Sequence, residues 1–174
     1  GCLVGSEMCI RDSKNFMPHQ PHGQYIDSMY RSHEVARVWT SATQNGSPPA
    51  IQSRFFSKRP NEELYDIVVD PSETNNLADD REYEDILIGM RVATVEWMRE
   101  IRDIGLIAES ELQKKSAYSS VYDMGQDSST YNFEQTLKIA ELASQMDKSN
   151  LTQLIASTNH KSDSVRFWGT LGII

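Results

Sequence analysis

His19-x-x-His22, with Asp27 and His33 downstream, groups residue types that hold divalent metals or move protons. Pro18 and Pro21 interrupt the segment, and a three-residue gap across prolines does not set two imidazoles on one face as a helical turn would. The competing reading is a set of loop histidines satisfied by their neighbours. Lys58-Arg59 can pair with a sulfate or carboxylate, yet beside Glu62 and Glu63 the same cations read as a solvated loop in charge balance. Trp97 carries a ring that can stack on a sugar, while its apolar spacing places it in a helix core. Cys2 and Cys9 both fall in the first ten residues, which gives no disulfide framework and no four-ligand metal set. Asn45-Gly46-Ser47 and Asn150-Leu151-Thr152 match glycosylation acceptors, a pattern short enough to arise by chance.

The elements that must position these groups are bounded by composition. A chain of 174 residues buries one real core, or a small core with an appendage. Its 39% hydrophobic and 9% aromatic content is that of a folded chain, and no run of about 18 apolar residues exists to span a membrane. Twenty-five acids against 17 bases give a net charge of -8, a field that repels polyanions and argues against nucleic acid as a partner. An anionic substrate therefore needs a local basic pocket.

Along the chain, residues 1–13 lack the basic start and apolar core of a signal peptide and closely resemble a translated sequencing-adapter string, so they are set aside from fold reasoning. Lys14 to Gln24 reads as a strand end running into a proline-broken loop. Tyr25 to Trp39 reads as a short helix or two, and Ser41 to Pro49 as an exposed loop. Glu63 to Asp70 is rich in β-formers and closes on the Asp70-Pro71 turn; Leu64, Ile67 and Val69 offer the sheet apolar bulk. Asp79 is the expected cap of a helix whose inward positions are Tyr83, Leu87, Met90, Thr94, Trp97 and Ile101, with Gly105 as its stop. Residues 112–131 are polar, with Leu112, Tyr118, Val121, Tyr122 and Met124 to dock them, and read as a linker. Phe133 to Met146 and Leu151 to Ser157 read as helices, and Asp163 caps a last one.

Glu62-Glu63-Leu64-Tyr65-Asp66, followed by Asp70-Pro71-x-Glu73-x-Asn75-Asn76-Leu77-Ala78, resembles the late signature of the sulfatase family within the alkaline-phosphatase-like superfamily. Asn15-Phe16-Met17-Pro18-His19, Gly23-Gln24-Tyr25 and Trp97-Met98-x-x-Ile101-x-Asp103-x-Gly105 resemble the same region of bacterial sulfatases related to heparan N-sulfatases. The likeness runs from about Lys14 to Glu111. Leu151-x-x-Leu154-Ile155 with Ser162-Asp163-Ser164-Val165-Arg166-Phe167-Trp168-Gly169 resembles a HEAT-type helix pair, in which Arg166 is expected to hold an intramolecular carboxylate or carbonyl.

The resemblance implies an α+β fold: a small antiparallel sheet with a packed amphipathic helix over 14–111, a linker over 112–131, and an all-α HEAT-like tail over 132–174. It implies a parent enzyme that hydrolyses sulfate esters or sulfamates on a sulfated carbohydrate and is periplasmic or secreted. That enzyme is expected to use calcium and a formylglycine made from cysteine in a Cys-x-Pro/Ala-Ser-x-Arg motif. Neither Cys2 nor Cys9 fits the motif, so no catalytic residue, metal ligand or cofactor is assigned here, and the N-terminal catalytic domain of the same chain is the expected partner. The loop holding His19, His22, Gln24 and Tyr25 is expected to border the active-site mouth and help select substrate. Two other classes compete: a non-enzymatic interaction module presenting the helical-repeat tail, and a small metal-binding protein using His19 and His22.

Overall fold

A computed structural model describes residues 9–115 and 119–174. Cys2, Tyr118 and the first eight residues of the segment set aside above lie outside the described residues. The fold is α+β, with a two-stranded antiparallel sheet and nine α-helices among the described residues. The chain divides into two compact units, one ending at Asp79 and the other starting at Asp80.

The first unit is built on β1 (Ile10–Lys14) and β2 (Glu62–Asp66), paired from Ile10 opposite Asp66 to Lys14 opposite Glu62. Ile10 to Ser13, excluded by the sequence reading, thus form most of one strand. An isolated two-stranded ribbon is marginal in water and leaves polar edges. Here Asn76 acts as a third strand: its Oδ1 accepts the Leu64 N–H at 2.8 Å, and its Nδ2 donates to the Glu62 carbonyl at 3.1 Å. Leu77 N–H then donates to the Leu64 carbonyl at 2.8 Å. Leu64 and Tyr65 are buried beneath this seam.

β2 stops four residues short of the expected Asp70. Asp66 turns its carboxylate onto the Val68 and Val69 N–H groups at 3.0 and 3.2 Å, and Asp70 N–H bonds back to the Asp66 carbonyl at 2.7 Å. Ile67 and Val69 are exposed as a result and give the sheet nothing. A local aspartate turn outcompetes β-propensity in this run. Asp70 repeats the device on Thr74 and Asn75, whose N–H groups lie 2.6 and 2.7 Å from Oδ2. The Asn75 N–H is the main cause holding the Asp70 carboxyl below the usual range. The left-handed residue of this loop is Glu73, at φ 53°, and not either asparagine.

Between the strands lie α1 (Asp27–Ser32), α2 (Glu34–Gln44), α3 (Ala50–Ser53) and a single 3-10 turn, Arg54–Phe56. α2 extends through the first part of the expected loop, which begins only at Asn45.

In the second unit Asp80, one residue beyond the expected cap, accepts the Glu82 N–H at 3.0 Å and opens a 3-10 turn into α4 (Glu84–Ile101). Leu87 and Met98 are the buried residues of α4, whereas Trp97 is 61% exposed. The inward stripe ends on Met98, one residue and about 100° round from Trp97, so the core assignment of Trp97 is overturned. The helix stops at Arg102, not Gly105. Arg102 takes the left-handed conformation (φ 50°, ψ 59°), a strain of about 1 kcal/mol or more for a non-glycine residue. Its guanidinium offsets that cost by donating to the Gly125 and Tyr131 carbonyls at 2.8 and 2.7 Å.

The stretch read as a linker is folded. α5 (Glu109–Lys115) and α6 (Val121–Gln126) bury Glu111 and Met124, and Tyr131 is nearly inaccessible with its hydroxyl donating to the Asp103 carbonyl at 2.8 Å. Its polar residues are spent locally: Ser120 caps α6, and the Asp127 carboxylate gathers Ser129 and Thr130. Polar composition here encodes turns.

α7 (Phe133–Ser144), α8 (Leu151–Ser157) and α9 (Asp163–Leu171) follow, with α9 packed on both others. A Cβ at Gly169 would come within 2.9 Å of the Ser157 side chain, so this crossing tolerates only glycine without a shift. Trp168 donates its indole N–H to the Leu106 carbonyl at 2.7 Å. Glu111 Oε2 accepts from Ser164 Oγ at 2.9 Å; Lys115 Nζ lies 2.7 Å from Oε1 as an ion pair, at an angle that makes no hydrogen bond. Arg166 donates to the His160 carbonyl at 2.7 Å and pairs with Asp163, the carbonyl and carboxylate partners expected of it.

Two outcomes follow from these contacts. Asn76→Ala strands the buried Leu64 N–H and is expected to cost about 1–3 kcal/mol, seen as loss of hydrogen-exchange protection at Leu64 and Leu77. Val69→Thr, on the exposed turn, should leave that protection within about 0.5 kcal/mol of wild type. The Asp127 carboxyl, held down chiefly by the Thr130 and Ser129 hydroxyls, should titrate at about 2 by NMR. Because the folded value is depressed, its stabilising contribution is present above the ordinary aspartate value of about 4 and fades as pH falls through about 2. Titration near 4 would mean the hydroxyl cage is not formed.

Candidate functional site

The first unit contains an open cleft of about 480 Å³. Its position follows from how residues 15–24 run alongside 55–61. Asn15 N–H bonds the Asn61 carbonyl at 2.8 Å, Arg59 N–H the Pro18 carbonyl at 2.9 Å, and Gly23 N–H the Phe55 carbonyl at 2.7 Å. Arg59 Nε adds a bond to the Gln20 carbonyl at 3.1 Å. This lacing sets the His22 ring near-parallel to Phe55, with centroids 6.3 Å apart and a 15° tilt. Trp39 of α2 stacks on Phe55 at 4.7 Å and 13°. Three rings from three segments thereby form one wall of the cleft. The Trp39 Nε1 is buried with no hydrogen-bond partner among the described residues.

The rest of the lining is charged. Arg11, Arg54, Lys58 and Arg59 line the cleft against two carboxylates, Glu63 and Glu73. Both carboxylates are already engaged: Glu73 pairs with Arg11 at 2.6 Å, and Glu63 takes Asn15 Nδ2 at 3.1 Å and the Tyr65 hydroxyl at 3.3 Å. Arg54 is anchored without a carboxylate, donating to the Thr74 carbonyl at 2.7 Å and to the Tyr65 oxygen at 3.3 Å. Burial, and then the nearby Glu63 charge, push the Tyr65 hydroxyl above the ordinary tyrosine value, so it stays protonated as donor to Glu63. Among the described residues Arg54, Lys58 and Arg59 have no ion-pair partner. The cleft is thus locally cationic in a chain of net charge -8, the basic pocket that an anionic ligand requires.

Of the expected substrate-side residues, His22 lines this cleft and His19, Gln24 and Tyr25 do not. Tyr25 is exposed and donates its hydroxyl to Asp27 at 2.9 Å, facing away into the α1 surface. His19, His22, Asp27 and His33 are not brought together, and no group of three or more His, Cys, Asp or Glu able to hold a metal exists among the described residues. Among the described residues no helix is long and apolar enough to cross a membrane.

Set against known proteins, the chain is similar to an ulvan-active sulfatase of Formosa agariphila, 32% identical over 108 residues. Part of this chain is thus similar to part of a sulfatase. The matched stretch makes up 59% of the chain and spans 17% of the length of that relative. No family model matches the chain, and neither does any solved structure.

Sequence reasoning paired Lys58-Arg59 with Glu62 and Glu63 as a balanced loop. It missed Arg54, Trp39 and Phe55, because nothing local marks residues that meet only through the sheet and the 15–24 loop. One signal was present: Gly23 falls inside the Gly23-Gln24-Tyr25 match. A Cβ there would lie 2.5 Å from Phe56 Cδ1 and 2.7 Å from Phe55 Cδ1. Gly23→Ala is expected to displace the aromatic wall and cost about 1–3 kcal/mol in stability. The check is thermal unfolding with near-UV circular dichroism; an unchanged aromatic signal and melting point would mean the loop does not hold the rings.

Proposed function

We propose that the chain is the C-terminal part of a sulfatase, and that the whole protein hydrolyses sulfate esters or sulfamates on carbohydrate. The observation that carries this is the 108-residue similarity to a sulfatase. A locally cationic cleft in an acidic chain is consistent with an anionic substrate. That relative is active on ulvan, which suggests a sulfated polysaccharide of this kind as the substrate class. Catalysis is assigned to a domain preceding this region, carrying a Cys-x-Pro/Ala-Ser-x-Arg motif for formylglycine and acidic ligands for calcium. That group would supply the nucleophile to sulfur and the metal would stabilise developing charge. This chain alone is expected to be inactive, and α8 with α9 is read as a HEAT-like appendage.

The test begins with recovery of the upstream coding DNA by PCR from primers within 14–111. The expected product encodes the cysteine motif, and the whole protein releases sulfate from sulfated oligosaccharides. Cys→Ala at the motif, or the 174-residue chain by itself, should release none. A native start codon just before Lys14, with no catalytic domain ahead of it, would sink the proposal.

A further inference from the structure

We infer that the cleft of the first unit is a binding subsite for a sulfated sugar ring, with Lys58, Arg54 and Arg59 taking the sulfate and the His22, Phe55 and Trp39 wall packing against the ring. The inference rests on the sulfatase reading for the class of ligand, while the site itself rests on geometry.

Three observations converge. Arg11 neutralises Glu73, while Glu63, held by the neutral Asn15 and Tyr65, keeps its charge, so Arg54, Lys58 and Arg59 face one unneutralised carboxylate and the cleft keeps a net positive charge. Arg54 is fixed by the Thr74 carbonyl and the Tyr65 hydroxyl, both neutral groups that orient it without cancelling its charge. Lys58 is exposed, lines the same cleft and has no ion-pair partner among the described residues. A guanidinium oriented by two hydrogen bonds and a lysine ammonium lining the same cleft are a combination suited to a tetrahedral oxyanion. In the same cleft the stacked rings present apolar surface, to which the C–H face of a pyranose is complementary, and the 480 Å³ volume falls in the range of about 300–1,000 Å³ used for small ligands. Neither half suffices alone. Cations without the wall would bind any anion, and the wall without cations would not select a sulfated ring from a neutral one.

The experiment is calorimetric titration of the 174-residue chain with sulfated oligosaccharides released from ulvan, the same oligosaccharides after desulfation, and inorganic sulfate. Binding of the sulfated form is expected, weakening at least tenfold on desulfation and falling with added salt. Lys58→Ala, at an exposed position that leaves the fold intact by circular dichroism, should weaken it about tenfold, and Lys58→Arg should restore most of it. Phe55→Ala should weaken the oligosaccharide while leaving inorganic sulfate unchanged. Absence of binding, equal binding of the desulfated form, or an unaltered Lys58→Ala overturns the inference. Failure here is separable from failure of the sulfatase reading: sulfate release by the whole protein without binding at this cleft rejects the subsite alone, and binding here with no upstream catalytic domain rejects the enzyme alone.

Discussion

A two-stranded ribbon exposes a row of N–H and C=O groups along its free edge, and in this chain the side-chain amide of Asn76 closes that edge. By taking the Leu64 N–H and giving to the Glu62 carbonyl, it reproduces the pairing of a neighbouring strand without one. Much of the first unit hangs on this seam. It pins the end of the Asp66 to Ala78 loop, so that the Thr74 carbonyl stands where Arg54 can reach it and Glu73 where Arg11 can pair with it. It also covers Leu64 and leaves Tyr65 buried with its hydroxyl between Glu63 and Arg54. The sulfatase-like signature is therefore a set of backbone caps: Asp66, Asp70 and Asn76 each trade a side-chain oxygen for N–H groups that a loop would otherwise leave unpaired.

The charge of the cleft arises from subtraction. Acids outnumber bases over the whole chain, yet those near the sheet are turned inward or paired: Glu62 with Lys14, Glu63 with Asn15 and Tyr65, Glu73 with Arg11. Cations supplied by the 3-10 turn and the segment after it are left facing the opening. A glycine at 23 then allows the 15–24 loop to approach Phe55 and Phe56 closely enough to stack His22 upon the ring wall. Sheet edge, loop lacing and one missing Cβ together position six side chains drawn from four segments.

The second unit is held by a different economy. Small residues, Ala140, Ala143, Ser144, Ser157, Ser164 and Gly169, are buried where α7, α8 and α9 meet, which lets short helices approach closely. Their buried hydroxyls bond to main-chain carbonyls or to Glu111, as Ser144 does to the Glu141 carbonyl and Ser164 to the carboxylate. Arg102 and Tyr131 tie the end of α4 to the turn before α7. Polar atoms here serve packing, as buried polar groups must when they have partners.

What the sequence by itself determined is the chemistry that acts within a few residues, the Asp70-Pro71 turn and the short helices after Tyr25, because these depend on side chains and backbone preferences acting on neighbouring peptide groups; the α+β class and the partners of Arg166 were implied by the family resemblance. Only the tertiary structure decided which of two equivalent patterns wins. It chose Met98 over Trp97 as the inward face of α4, and helices over a linker between 112 and 131. It alone paired β1 with β2 and brought His22, Trp39, Phe55, Arg54, Lys58 and Arg59 around one opening. Those contacts join residues far apart in the chain, and their stability depends on burial and on competition for hydrogen bonds, quantities that no local spacing carries.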